Sequence, residues 1–208
     1  MQFNYFISAH LRMKSAEVLL TFDDGPDPVN TPKILDILKK HDIKAVFFVI
    51  GNKAQAQPEL IQQIVAEGHI LGNHTQKHPP LFALMSGKNV KKEIEDTNQT
   101  LEKIIGKGTS LFRPPVGYTN PIIARVVRKL NIQTIGWSAR SYDSFITKHH
   151  WLLRRLLRIT IPSSIVLMHD NRSHTAAILD DYLNKAQQNG IIFAKQATLN
   201  AFIHEINA

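Results

Sequence analysis

Short apolar runs, rich in β-branched and aromatic residues, alternate along this chain with stretches of helical periodicity, and that alternation constrains the fold more than any other feature. The runs fall at 18–22, 45–50, 69–72, 110–112, 134–137, 165–168 and 191–193. Asn30-Thr31-Pro32 reads as a helix start that puts Ile34, Leu35 and Leu38 on one face. Leu60, Ile61, Ile64 and Val65 share a face of a helix over 58–67, which Gly68 stops. Further helices are expected at about 89–105, from Asn120-Pro121 through 130, at about 150–159, over 175–189 before Gly190, and over 198–206. Strands that are apolar throughout are buried on both faces, which calls for parallel pairing under flanking helices. Seven β-α units therefore predict an α/β fold, either an open doubly wound sheet or a barrel. With 208 residues, 43% of them hydrophobic, the chain can bury one core, so a single domain over 1–208 is expected.

Composition removes several chemistries. The absence of cysteine excludes disulfides, thiolate zinc sites and cysteine nucleophiles, so any metal must be held by nitrogen and oxygen, for which ten histidines suffice. The start, Met1-Gln2-Phe3-Asn4-Tyr5-Phe6-Ile7, lacks a basic n-region and its apolar run is too short for a secretory leader. No run reaches membrane-spanning length either, so the expectation is a cytoplasmic protein, with peripheral contact at a membrane face left open. A net charge of +8 and a pI near 9.7 favour acidic partners. The cations are spread along the chain without a basic block or interleaved aromatics, and no nucleic acid is expected.

Position separates core from function. In barrels, and at the crevice of open sheets, active-site groups gather at the carboxyl ends of the strands. Asp23 and Asp24 are expected just past the first strand, where Gly25-Pro26 ends it; adjacent side chains there diverge, so one carboxylate can bind a cation while the other faces an open volume. His74 and His78 follow the third run, Arg113 ends the fourth, Asp143 follows the fifth and His169 ends the sixth. Two imidazoles four residues apart fall on one face if the segment forms a helical turn, a standard route to binding a borderline cation. Thr75 stands where a metalloprotease motif carries its glutamate, so a base must come from elsewhere.

Thr21-Phe22-Asp23-Asp24-Gly25-Pro26, Asn73-His74-Thr75-Gln76-Lys77-His78-Pro79, Phe112-Arg113-Pro114-Pro115 and Leu167-Met168-His169-Asp170 resemble, in order and spacing, the successive motifs of the polysaccharide deacetylase family, the NodB homology domain or carbohydrate esterase family 4. The resemblance implies a distorted (β/α)7-type barrel and a metal-dependent hydrolase that removes an N-linked acyl group, most often acetyl, from an amino sugar. It implies Asp24, His74 and His78 as ligands of one divalent ion, with zinc the first choice and cobalt, nickel, iron or manganese also suited. Asp23 would be the base, Arg113 the cation holding it, His169 the general acid and Asp143 the partner raising the His169 pKa. The backbone N–H of Val116, where the family has tyrosine, would face the oxyanion, and Trp137 and Leu167 are placed with the substrate pocket.

Two departures bear on substrate. Arg140 and Ser144 replace the first aspartate and the tryptophan of the family's D-x-x-D-W segment, so the aromatic platform must come from Trp137, Tyr142 or Trp151. They motivate an alternative, a catalytically impaired carbohydrate-binding module of the same fold, and the ligand set alone also suits an iron oxygenase. In the helix at 150–158, Leu152, Leu153, Leu156 and Leu157 form one stripe and three arginines the other. The ordinary reading packs the leucines inward; the sharper one brings the protein to a lipid-linked sugar on an anionic leaflet. Expected partners are an acylated amino sugar, an oligosaccharide or a lipid-linked sugar.

Overall fold

The computed structural model of the protein describes residues 13–207. The amino-terminal run Met1 to Ile7, read above for a leader, lies outside the described residues. Seven strands form one sheet: β1 (Leu19–Gly25), β2 (Ala45–Val49), β3 (Ile70–Asn73), β4 (Leu111–Phe112), β5 (Gln133–Thr134), β6 (Ala139–Arg140) and β7 (Ile165–His169). Every pairing between them is parallel. Their spatial order, β5-β4-β3-β2-β1-β7-β6, is chain order around a ring that is open between β5 and β6. The result is a curled half-barrel, the distorted (β/α)7-type architecture expected from the sequence.

Alternation along each strand divides the apolar residues into two layers. Leu20 and Phe22 point outward and pack with Phe47, Val49, Val166 and Met168 beneath the helices. Leu19, Val46, Phe48, Leu111, Ile165 and Leu167 point inward and fill the barrel, whose lower end Leu199 and Phe202 of α8 (Gln196–Asn207) close. Thr21 and Asp23 continue the inward face begun by Leu19, so β1 turns from apolar to polar as it nears its carboxyl end. The outer layer comprises α1 (Asn30–Lys40), α2 (Gly51–Ala56), α3 (Pro58–Ala66), α4 (Gly87–Ile105), α5 (Pro121–Lys129), α6 (His149–Ile159) and α7 (Ser173–Gln188). None of the described helices is long and apolar enough to cross a membrane.

Four local expectations are corrected. Pairing of the fifth strand stops at Thr134, because the carbonyls of Ile135 and Gly136 accept hydrogen bonds from Arg113 at 3.0 and 2.7 Å. The run at 191–193 makes only a single bridge, Val18 to Phe193, while the unforeseen β6 completes the seven; two residues carry no periodicity to read. Helix α1 is opened by Asp27, whose Oδ1 accepts the N–H groups of Val29 and Asn30, and not by an Asn30 cap. Gly51 is not merely a strand terminator but opens α2; a Cβ there would lie 1.9 Å from Gln76 Oε1, so only glycine permits the approach. By contrast, Asn120 caps α5 as its sequence implies, accepting the Ile123 N–H at 2.9 Å.

Candidate active site

Strict alternation would send Asp23 and Asp24 to opposite faces of the sheet. Instead β1 carries one residue more than β2 between Asp23, opposite Phe48, and Gly25, opposite Val49. The extra residue is Asp24, held at φ 73°. The bulge swings its carboxylate to within 3.5 Å of Nε2 of both His74 and His78, while Asp23 Oδ2 stays 3.9 Å from His74 Nε2. Both aspartates thus lie within β1, not past its end as expected, and a bulge makes neighbouring carboxylates converge. Lys53 of α2 donates to the Asp24 carbonyl at 2.7 Å and ties the bulge down.

His74 and His78 do not share a helical turn. The segment after β3 is an irregular loop with Thr75 at φ 68° and His78 at φ 50°. Local side chains shape it: Asn73 Oδ1 accepts the Thr75 N–H at 2.9 Å and Thr75 Oγ1 accepts the His78 N–H at 3.0 Å, the turns that Asn and Thr favour. The first N–H groups of α2, on Gly51 and Asn52, hold the carbonyls of Thr75 and Gln76. The outcome is still two imidazoles with ring centroids 4.8 Å apart. His74 Nδ1 lies 2.7 Å from the Arg113 carbonyl, to which it can only donate, so the ring is fixed with its Nε2 toward Asp24. One ligand atom from each of Asp24, His74 and His78 falls within 4.8 Å of the others.

Arg113, just past β4, is fully buried. One of its terminal nitrogens donates to Asp23 Oδ1 at 2.7 Å and to Thr21 Oγ1 at 2.8 Å, and the guanidinium lies 4.1 Å from the Phe48 ring centroid. Four of its five N–H groups thus meet an acceptor, counting the Ile135 and Gly136 carbonyls, as a buried guanidinium requires. Asp23 therefore has one oxygen bonded to Arg113 and the other turned toward His74.

His169 ends β7 in register with Asp23 on β1. Its Nδ1 is 2.6 Å from Asp143 Oδ1, and its backbone N–H donates to Asp143 Oδ2 at 2.7 Å. Ser141 and Thr175 complete the Asp143 shell, each donating at 2.8 Å. Burial pulls the His169 pKa down, but the hydrogen bond and charge of Asp143, with Asp23 and Asp24 adding to it, leave it above its ordinary value. Asp143 moves the opposite way: burial raises its pKa, yet His169 holds it below the usual carboxylate range. At Asp24 burial likewise raises the pKa, and the hydrogen bond and charge of His74, with the charges of His169 and His78, hold it well below that range. His78 is pushed below the usual imidazole value by burial and by His74, the direction that favours the neutral ring a metal ligand must present.

The remaining sequence candidates fall around this centre. Val116 sits at φ 60°, 57% exposed, on the turn that follows Arg113. Trp137 is buried beneath that turn: a Cβ on Gly117 would come within 2.1 Å of its ring. Leu167 is buried in the same inner cluster as Trp137, so both support the pocket from below. Ser144, in place of an aromatic, brings its hydroxyl to 3.3 Å from His169 Nδ1.

Sequence reasoning passed over several contributors. Thr21 lies inside the first motif and Asp170 inside the last; Asp170 is buried, accepts from Thr31 at 2.7 Å and lies against Gly25. Lys53 and Thr175 carry no local signal, because each acts across the fold on a backbone oxygen or a carboxylate, whereas Ser141 bonds Asp143 only two residues away. Chemically, two imidazoles and a carboxylate suit a borderline divalent cation. A second carboxylate, Asp23, lies beside the cluster, with the His169 imidazole opposite it on β7.

The model for "Polysaccharide deacetylase" matches residues 10–135. A peptidoglycan-N-acetylglucosamine deacetylase of Bacillus cereus is 34% identical over 193 residues, covering 90% of this chain and 89% of that protein. A chitooligosaccharide deacetylase of Azorhizobium caulinodans is 35% identical over 164 residues, 78% of each chain. Among solved structures, a carbohydrate esterase family 4 pseudoenzyme from Bacillus anthracis superimposes with a TM-score of 0.81 at 28% identity, covering 94% of this chain and 66% of that one. The chain belongs to the polysaccharide deacetylase family, carbohydrate esterase family 4, and is a hydrolase of the carbohydrate N-deacetylase class.

Proposed function

We propose that Asp24, His74 and His78 hold one divalent ion, zinc in the first instance, and that the surrounding side chains hydrolyse the N-acetyl group of an amino sugar. The substrate is an acetylated glycan of the peptidoglycan or chitooligosaccharide type, as for the named relatives, or the same sugar in lipid-linked form. The observation that carries the reading is the convergence of three ligand atoms within 4.8 Å beside Asp23, whose register partner on β7 is His169. The donor set fits the ion: His74 already spends Nδ1 on a backbone carbonyl, leaving Nε2 for coordination. When bound, such an ion supplies Lewis-acid polarisation of the acyl carbonyl and a more acidic water.

Asp23, anchored through Oδ1 by Arg113, has Oδ2 available to take the proton of the attacking water. His169, kept protonated by Asp143, gives its proton to the departing amine so that the C–N bond breaks forward. The Val116 N–H is assigned to the oxyanion; a main-chain donor survives the exchange of tyrosine for valine. Chelation should abolish acetate release and added zinc restore it. Asp23→Asn should lose at least about 100-fold in kcat, the low end for removal of a general base, while metal content by mass spectrometry is unchanged; retained turnover would refute the role. Arg140 and Ser144 favour a second reading, a glycan binder without turnover like the pseudoenzyme neighbour. Saturable glycan binding by the metal-loaded protein with no acetate released would establish it.

A further inference from the structure

Helix α6 carries two faces. Leu152 and Leu156 are fully buried and Leu153 nearly so, which settles its inward side. Trp151, Arg154, Arg155 and Arg158, spaced three, four and seven residues apart, share another face. With Phe145 and Lys148 they line a groove of about 720 Å³, within the range of small-molecule sites. Phe145 is 76% and Trp151 53% exposed. The groove's four cations have no acidic residue among its lining. Among the described residues, none of the four forms an ion pair.

The concentration of uncompensated charge extends toward the acid–base pair. Arg140 and Arg155 lie 4.9 and 4.4 Å from the centroid of the Tyr142 ring. Arg140 Nε is buried with no hydrogen-bond partner, and Arg155 donates only to the Arg140 carbonyl, so neither charge meets an anion. The turn that opens the groove is fixed by the Phe145 and Ile146 N–H groups donating to the Tyr142 carbonyl, and between them and Tyr142 stands Ser144, 3.3 Å from His169. The groove therefore begins at the residue after Ser144, whose hydroxyl lies 3.3 Å from His169 Nδ1, the group assigned as general acid.

We propose that this groove is a subsite for a phosphate or diphosphate ester of the substrate, which makes the preferred substrate an acylated amino sugar linked through phosphate to an apolar or aromatic group. The proposal rests on the deacetylase reading of the adjacent site. Four cations match a multiply charged group better than the single carboxylate of an acidic sugar, and arginine forks suit phosphate oxygens. Phe145 and Trp151 give the group esterified to the phosphate an apolar wall.

The test compares wild type with the double variant Arg154→Glu, Arg158→Glu, both at exposed positions. Substrates are neutral diacetylchitobiose, uridine-diphospho-N-acetylglucosamine and polyprenyl-diphospho-N-acetylglucosamine. Wild type is expected to favour one of the phosphate-linked substrates in kcat/KM, and which one identifies a nucleotide or a lipid as the source. The double variant should lose that preference by about tenfold or more, the order of two charge-assisted hydrogen bonds, with turnover of the neutral sugar unchanged. Equal turnover of all three, or a double variant that keeps the preference, overturns the proposal. If wild type cleaves none of them, the deacetylase reading fails separately, and calorimetric titration with inorganic diphosphate decides the subsite. Saturable binding weakened in the double variant supports it; no binding overturns it. Binding to phosphatidylglycerol vesicles with no affinity for diphosphate also overturns it, in favour of a membrane-facing surface.

Discussion

His169 and Asp143 set each other's charge across 2.6 Å, and the consequence can be read in a pH profile. Because Asp143 raises the His169 pKa against the pull of burial, the imidazolium persists to higher pH than a free histidine, and kcat should fall only as pH rises through that elevated value. Asp143→Asn removes the charge and keeps the shape. The alkaline limb of kcat for acetate release should then move to lower pH by about one unit or more, the usual effect of one nearby opposite charge. An unmoved limb would remove His169 as the proton donor. Both residues are legible in the sequence only as positions near strand exits and by resemblance; their pairing depends on Ser141, two residues before Asp143, and on Thr175, which fixes the carboxylate from another helix. A hydrogen-bond donor that arrives from a separate element leaves no pattern in a one-dimensional string, whereas Asp23, Asp24, His74 and His78 sit in compact motifs that can be read there.

At the scale of elements, the bulge in β1 and the loop after β3 make the ligand set. The residues that the sequence motifs single out do converge, but by another route than helical spacing: His74 and His78 meet through left-handed residues and Asn73 and Thr75 turns. Such a loop mimics the i, i+4 relation without its periodicity, and the bulge at Asp24 similarly hides inside an apparently regular strand. Gly25 supplies the space for that bulge, since a Cβ there would fall 2.0 Å from Asp170 Oδ2, whose side chain is fully enclosed. Gly25→Ala should therefore cost about 1–3 kcal/mol in urea unfolding of the chelated protein, as overpacking does. It should also weaken zinc affinity measured by competition with a chromophoric chelator, because relief requires moving Asp24 or Asp170. Wild-type zinc affinity in a destabilised variant would show that the bulge and the ligand geometry are independent.

For the molecule as a whole, the open edge between β5 and β6 raises the question of what holds the ring in its curled form. The strand order followed from the alternation of apolar runs with helices, but the opening did not, because β5 and β6 are two residues each and are too short to announce their partners. Arg113 supplies the missing connection. From the end of β4 it takes the carbonyls of Ile135 and Gly136, which follow β5, and reaches Thr21 and Asp23 on β1 across the interior. Thr21 in turn donates to Val166 of β7 at 2.8 Å, so one guanidinium links both arms of the half-barrel. Arg113→Met keeps apolar bulk but leaves the Asp23 carboxylate buried without its cation, and should destabilise by about 3–5 kcal/mol. Arg113→Lys should fall between, since a single ammonium cannot span the carbonyls and the carboxylate together. Adding Asp23→Asn to Arg113→Met separates the two parts of the cost. Removing the orphaned charge should recover part of the loss, and the remainder measures what the guanidinium contributes to closing the interior. Complete recovery in urea unfolding would mean that Arg113 serves Asp23 alone and that packing of Trp137 and Phe48 suffices to hold the open ring.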